Sequence, residues 1–129
     1  MGDLSSSFDS SEFSCPCCGE SKMDMTFILK LQTLRNLIGK PLVITSGYRC
    51  AKHNAEVGGE PDSAHLYGWA ADIQTPDHKF RFNLLLKAVV SAGISRIGFG
   101  ENFLHLDIGD LKNPKVYASE VIWDYYPKG

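Results

Sequence analysis

Three absences narrow what this chain can do. It has no apolar run near the ~20 residues that cross a bilayer; stretches such as Phe27 to Leu29 and Leu84 to Leu86 stop far short of that. No membrane span is expected. It also lacks an excess of positive charge: 13 Lys and Arg stand against 15 Asp and Glu, a formal net charge of -2. A nucleic-acid binder needs a basic footprint to neutralise phosphates, so nucleic acid is not an expected partner. The N-terminus lacks the basic start and apolar stretch of a signal peptide, reading Met-Gly-Asp-Leu-Ser-Ser-Ser-Phe-Asp instead. The expectation is a protein made in the cytoplasm without a signal peptide, which reaches any target outside by another route.

What is present suits one folded domain. With 129 residues, 43% of them apolar and 22% charged, the chain can bury a single core. Residues 1–12 are rich in Ser and Asp, carry little to bury, and read as a flexible N-terminal arm; residues 13–129 read as the domain. Phe27, Ile28, Leu31, Leu34, Leu37 and Ile38 recur at helical spacing, and Gly39 with Pro41 supplies a stop, which predicts a helix over 25–37. Leu84, Leu85, Ala88 and Val89, closed by Gly93, predict a second helix over 80–92. Strands are predicted at 42–45, 69–73, 97–99, 104–108 and 121–123, and residues 51–63, with Gly58, Gly59 and Pro61, as a loop. Helices and short strands without regular βαβ alternation argue for an α+β fold on a mainly antiparallel sheet with helices packed on it.

The most informative segment is Ser63-Ala-His-Leu-Tyr-Gly-Trp-Ala-Ala-Asp72, joined much later by Phe103-Leu-His-Leu-Asp107. Side chains alternate along a strand, so Leu104, Leu106 and Ile108 take the core and His105 and Asp107 face the other way. Ala70 and Asp72 likewise share a face opposite Trp69, Ala71 and Ile73. If the two strands are neighbours, Asp72 and His105 converge, and His65 reaches them from the turn that Gly68 permits. Two imidazoles and a carboxylate suit Zn²⁺, and three protein ligands leave a fourth position open, as in catalytic sites. The competing reading, with equal weight on spacing alone, is ordinary hydrogen-bonded histidines.

The run Ile44-Thr-Ser-Gly-Tyr-Arg49, then His53-Asn54, Val57-Gly-Gly59, Ser63-x-His65-x-x-Gly68-x-Ala70-x-Asp72 and His105-Leu-Asp107 resembles peptidase family M15. That is the group of zinc D-alanyl-D-alanine carboxypeptidases, related in fold to murein endopeptidases and the hedgehog signalling domain, and the short phage and bacterial branch looks nearest. The resemblance implies a zinc-dependent peptidase cutting peptide bonds in the stem or cross-link peptides of peptidoglycan at the bacterial wall or in a phage lysis or tail system; a monomer is expected. It implies His65, Asp72 and His105 as zinc ligands and Arg49 as the arginine aimed at the substrate carbonyl or carboxylate. A guanidinium suits that role because it stays charged and stabilises an oxyanion.

The general base is where the sequence departs from the pattern. Several branches carry Glu or Asp three residues before the last zinc histidine; Asn102 stands there and cannot take a proton. Asp107 and Glu101 are the carboxylates that could replace it, with Asp107 preferred, its other role being support of a ligand histidine. Ser63 is a candidate for substrate contact, or only a cap of its turn. His53 reads as loop support and His78 as an exposed residue near a helix start. A non-catalytic, metal-containing wall-binding module of the same fold is the alternative to an enzyme. Cys15, Cys17, Cys18 and Cys50 leave open a disulfide, a second zinc or free thiols.

Overall fold

In the computed structural model, residues 2–125 are described; Met1 and residues 126–129, the outer ends of the expected arm and domain, lie outside the described residues. The core grows from one helical stripe. Helix α1 (Met25–Ile38) buries Phe27, Ile28, Leu31 and Leu34, its N-cap Asp24 accepts the Phe27 N–H at 3.2 Å, and Gly39 closes it with φ 73°. Each such aliphatic or aromatic side chain contributes about 1.5–3 kcal/mol on burial.

The sheet under α1 has the order β1-β2-β4-β3-β5, built from β1 (Ile44–Ser46), β2 (Ala70–Gln74), β3 (Arg96–Phe99), β4 (Phe103–Asp107) and β5 (Val121–Asp124). All its pairings are antiparallel except β3 with β5, which is parallel. Helix α3 (His78–Val90) starts at an Asp77 N-cap and buries Leu84 and Ala88. Both helices share one core with Ala71, Ile73, Ile97, Leu104 and Leu106 of the sheet. The lysine of α1, Lys30, donates to the Ala92 carbonyl at 2.8 Å and ties the helices together. One sheet face is thereby filled with apolar side chains, and the polar residues of β2 and β4 are left on the other.

The architecture is the α+β, mainly antiparallel arrangement expected, with two differences in detail. The stretch 51–63 is not all loop: α2 (Ala51–Glu56) forms at its start, and a further short helix, α4 (Gly109–Lys112), follows β4. Six residues carry too little periodicity to announce a helix; α2 is set off by its N-cap, where the Cys50 sulfur accepts the His53 N–H. The second difference lies before residue 13. That segment does carry something to bury: Phe8 is 1% exposed against Phe13, their rings 5.8 Å apart. Gln32 of α1 accepts from the Ser5 hydroxyl at 2.7 Å and the Ser7 N–H at 2.9 Å, pinning the chain beside it.

Candidate metal centre

Strand register brings the predicted residues together. Across β2 and β4, Asp72 pairs directly with His105 and Ala70 with Asp107, so the alternation that sends Leu104 and Leu106 into the core sends these polar groups to the opposite face. His65 comes from a 3₁₀ turn over Ala64–Tyr67 whose start is capped by Ser63, the hydroxyl accepting the His65 N–H at 3.3 Å. Gly68 ends the turn at φ 72°, and a Cβ there would run into the Lys22 carbonyl. Only glycine satisfies both demands.

The donor atoms converge. His65 Nε2 lies 3.2 Å from His105 Nδ1, and Asp72 Oδ1 lies 3.3 Å from the first and 3.0 Å from the second. The remaining ring nitrogens are committed elsewhere. His65 Nδ1 donates to the Gly47 carbonyl at 2.7 Å and His105 Nε2 to Asp107 Oδ2 at 2.6 Å, which turns the other nitrogen of each ring toward Asp72. A tetrahedral zinc with bonds of about 2.0–2.1 Å separates neighbouring donors by about 3.3–3.4 Å. The cluster has nearly that spacing, and two ring nitrogens facing a carboxylate are a donor set that could hold a metal ion.

Burial sharpens the electrostatics. His65 is 2% exposed and His105 is 4% exposed. Burial pushes the His65 pKa down; Asp72 raises it, but not enough to offset the desolvation. His105 feels the same desolvation, but the carboxylates of Asp107 and Asp72 overcome it and hold its pKa up at about 9. Asp72 resists its own desolvation through the two histidines and stays well below the usual carboxylate range. The same direction holds for Asp107, where His105, the Gly109 N–H and Arg96 outweigh burial.

Asp107 sits behind His105. One of its oxygens meets His105 Nε2; the other accepts from Arg96 Nε at 2.6 Å and the Gly109 N–H at 2.9 Å. Arg96 in turn lies 5.2 Å from the rings of both Tyr117 and Trp123 and donates to the Ala118 carbonyl at 2.7 Å. Both oxygens of Asp107 are engaged in this way, the arrangement of a carboxylate that supports a ligand histidine, the role weighed from sequence beside that of the base.

Arg49 approaches from the other side. Its Nη2 lies 3.6 Å from Asp72 Oδ2, Nε donates to Ser46 Oγ at 3.2 Å, and Nη1 to Asn54 Oδ1 at 3.3 Å. Asn54 is 3% exposed and is itself fixed by donating to the Glu60 carbonyl at 2.8 Å. A cavity of about 600 Å³ opens over this group; Arg49, Ser63, His65, Asp72, His105 and Trp123 are among the residues that line it.

Glu101, the other carboxylate considered for the base, is exposed in the turn between β3 and β4 and does not line that cavity. Asn102 is exposed beside it, its carbonyl accepting the Thr75 N–H. His53 is half-buried in α2, and His78 is exposed at the first position of α3.

Several contributors had been given no role at the site from sequence. Arg96, Asn54 and the Gly47 carbonyl hold the site residues in place, and Trp123 stands 5.3 Å, ring to ring, from His105. A signal for Trp123 did exist: Gly98 pairs with His105 on one side and Trp123 on the other, and a Cβ on Gly98 would meet the Trp123 ring at 2.8 Å. A glycine inside a strand marks such a close approach.

Fold and donor set together define a class: an α+β protein whose open sheet face carries two imidazoles and a carboxylate spaced for one metal ion, beside a cavity. Residues 6–107 match Peptidase M15, and the chain belongs to that family. Over 45 residues it is also 44% identical to the zinc D-Ala-D-Ala carboxypeptidase of Streptomyces albus G, a stretch covering 34% of this chain and 18% of that enzyme. The chain thus matches less than a fifth of that relative's length. Family, relative and donor chemistry agree on Zn²⁺ as the cofactor.

Proposed function

We propose that this chain is a zinc peptidase that hydrolyses peptide bonds in the stem or cross-link peptides of peptidoglycan, with His65, Asp72 and His105 holding the metal. The observation that carries the reading is the convergence of these three donors, 3.0–3.3 Å apart, beneath a cavity shared with Arg49. Zinc held there supplies Lewis acidity and a water-derived nucleophile at neutral pH.

The chain's own residues supply the remainder. Arg49, steadied by Ser46 and Asn54, binds the carbonyl or terminal carboxylate of the peptide and stabilises negative charge as it develops there. Asp107 acts through His105, fixing its tautomer and orientation, rather than as proton acceptor. Ser63 caps the turn that presents His65 and lines the cavity where a peptide would lie. Trp123 supplies an aromatic wall beside His105, and a volume of about 600 Å³ falls in the range of clefts that take small ligands. In the net reaction, the hydroxyl of water joins the carbonyl carbon, the C–N bond breaks, and the proton leaves with the amine. The site of action in this reading is the bacterial wall, reached by the protein itself or within a phage lysis system.

A second reading has one observation in its favour: Asn102 occupies the position of the base and both Asp107 oxygens are engaged. It makes the chain a metal-containing wall-binding module. Digestion of purified peptidoglycan with mass analysis of the fragments, with and without chelator, separates the two. The peptidase reading expects fragments that vanish with chelator, return with zinc and are absent with His65→Ala; zinc-loaded protein that binds wall but releases no fragment refutes it.

A further inference from the structure

The four cysteines lie away from the His-Asp-His cluster, and their arrangement has its own logic. Cys15 N–H donates to the Glu20 carbonyl at 2.8 Å and Gly19 N–H to the Cys15 carbonyl at 2.7 Å, curling Cys15-Pro-Cys-Cys-Gly19 into a tight loop. Gly19 takes φ 75°, the left-handed conformation that lets the loop close. Inside it, the backbone N–H groups of Cys17 and Cys18 turn toward the Cys15 sulfur, joined by that of Cys50 from across the fold. Amides aimed at a sulfur stabilise a thiolate. This is the arrangement of a Cys-x-x-Cys-Gly knuckle, in which both sulfurs face the same point.

Cys50 completes that point from the other side. The sulfurs of Cys15, Cys18 and Cys50 all lie within 4.8 Å of one another, and Cys15 Sγ is 3.7 Å from Cys50 Sγ. A tetrahedral zinc with Zn–S bonds of about 2.3 Å places its sulfurs about 3.8 Å apart. The Cys17 thiol contacts Cys50, and the Cys18 thiol contacts both Cys15 and Cys50. Three converging thiolates select a soft ion such as zinc in preference to hard cations.

We propose that Cys15, Cys18 and Cys50 bind a second, structural zinc ion, its fourth position open to the neighbouring Cys17 thiol. Its place in the fold gives it a job. Cys50 directly follows Arg49 and caps α2, which carries Asn54, a partner of the Arg49 guanidinium. The backbone beside it is already docked on the N-terminal segment, Tyr48 N–H donating to the Phe13 carbonyl at 2.9 Å. A metal joining 15–18 to 50 clamps the arginine loop to the N-terminal segment and holds Arg49 toward Asp72.

Metal analysis of protein purified under reducing conditions without chelator tests this. The expected result is about two zinc ions per chain in the unaltered protein and about one in His65→Ala, since the thiolate site is independent of the other. After cobalt exchange, His65→Ala keeps intense thiolate-to-cobalt absorption, and Cys18→Ser loses it. Should Cys18→Ser fail to fold, the metal held by His65→Ala still decides the matter. A single zinc that His65→Ala abolishes, iron in the thiolate site, or a non-reduced mass lower by two hydrogens from a Cys15–Cys50 disulfide would each overturn the proposal.

Discussion

At the scale of single residues, the site depends on which ring nitrogen of each histidine is occupied. Asp107 decides this for His105. Asp107→Asn is expected to weaken zinc binding by about 10–100-fold while the fold survives, as measured by competition with a chromophoric chelator. Unchanged affinity would mean that the carboxylate does not orient the ring. Arg49 calls for a different readout. Arg49→Lys keeps a charge but loses the planar fork shared with Ser46 and Asn54; turnover should fall by roughly 10²–10³-fold, as on loss of an oxyanion donor, with zinc content unaltered. On the proposed peptidase reading, Glu101→Gln should leave activity as it is, because that side chain is exposed and outside the cavity lining. A large loss there would restore Glu101 as the base.

At the scale of elements, the β3–β4–β5 ribbon sets the aromatic wall of the cavity. Gly98 lies between His105 and Trp123 in adjacent strands, where an added methyl would press on the Trp123 and Tyr125 rings at 2.7–2.8 Å. Gly98→Ala is therefore expected to cost about 1–3 kcal/mol in denaturant unfolding and to shift Trp123 fluorescence. Periodicity had announced α1, α3 and the strands, since each presents a repeating apolar face. It could not announce α2, which is six residues long and stabilised by its cap, nor the burial of Phe8, whose neighbours are almost all polar. Isolated apolar residues carry no period, and their partners lie elsewhere in the chain.

At the scale of the molecule, two helices fill one face of the sheet and leave the other for chemistry. The metal-free protein should keep the helices and sheet, because the apolar core contains none of the proposed zinc ligands. Chelation is expected to lower Tm without abolishing cooperative unfolding, with zinc restoring it; a ligand at 100 times its Kd stabilises by about 2.7 kcal/mol. Calorimetry on chelated and reloaded protein checks this. Among the described residues no helix is long and apolar enough to cross a membrane.

The sequence by itself determined the longer helices, the strands and the proposed donors: alternation puts His105 and Asp107 on one face, and a glycine turn carries His65 near Asp72. These are properties of chain geometry over a few residues. Only the tertiary structure decided that Asp72 faces His105 in register, that Asp107 turns behind the ring to meet Arg96, and that Cys50 comes to lie against the Cys15–Gly19 loop. These contacts join residues 33, 11 and 35 positions apart. Burial of the common core selects such pairings, and no local pattern encodes them.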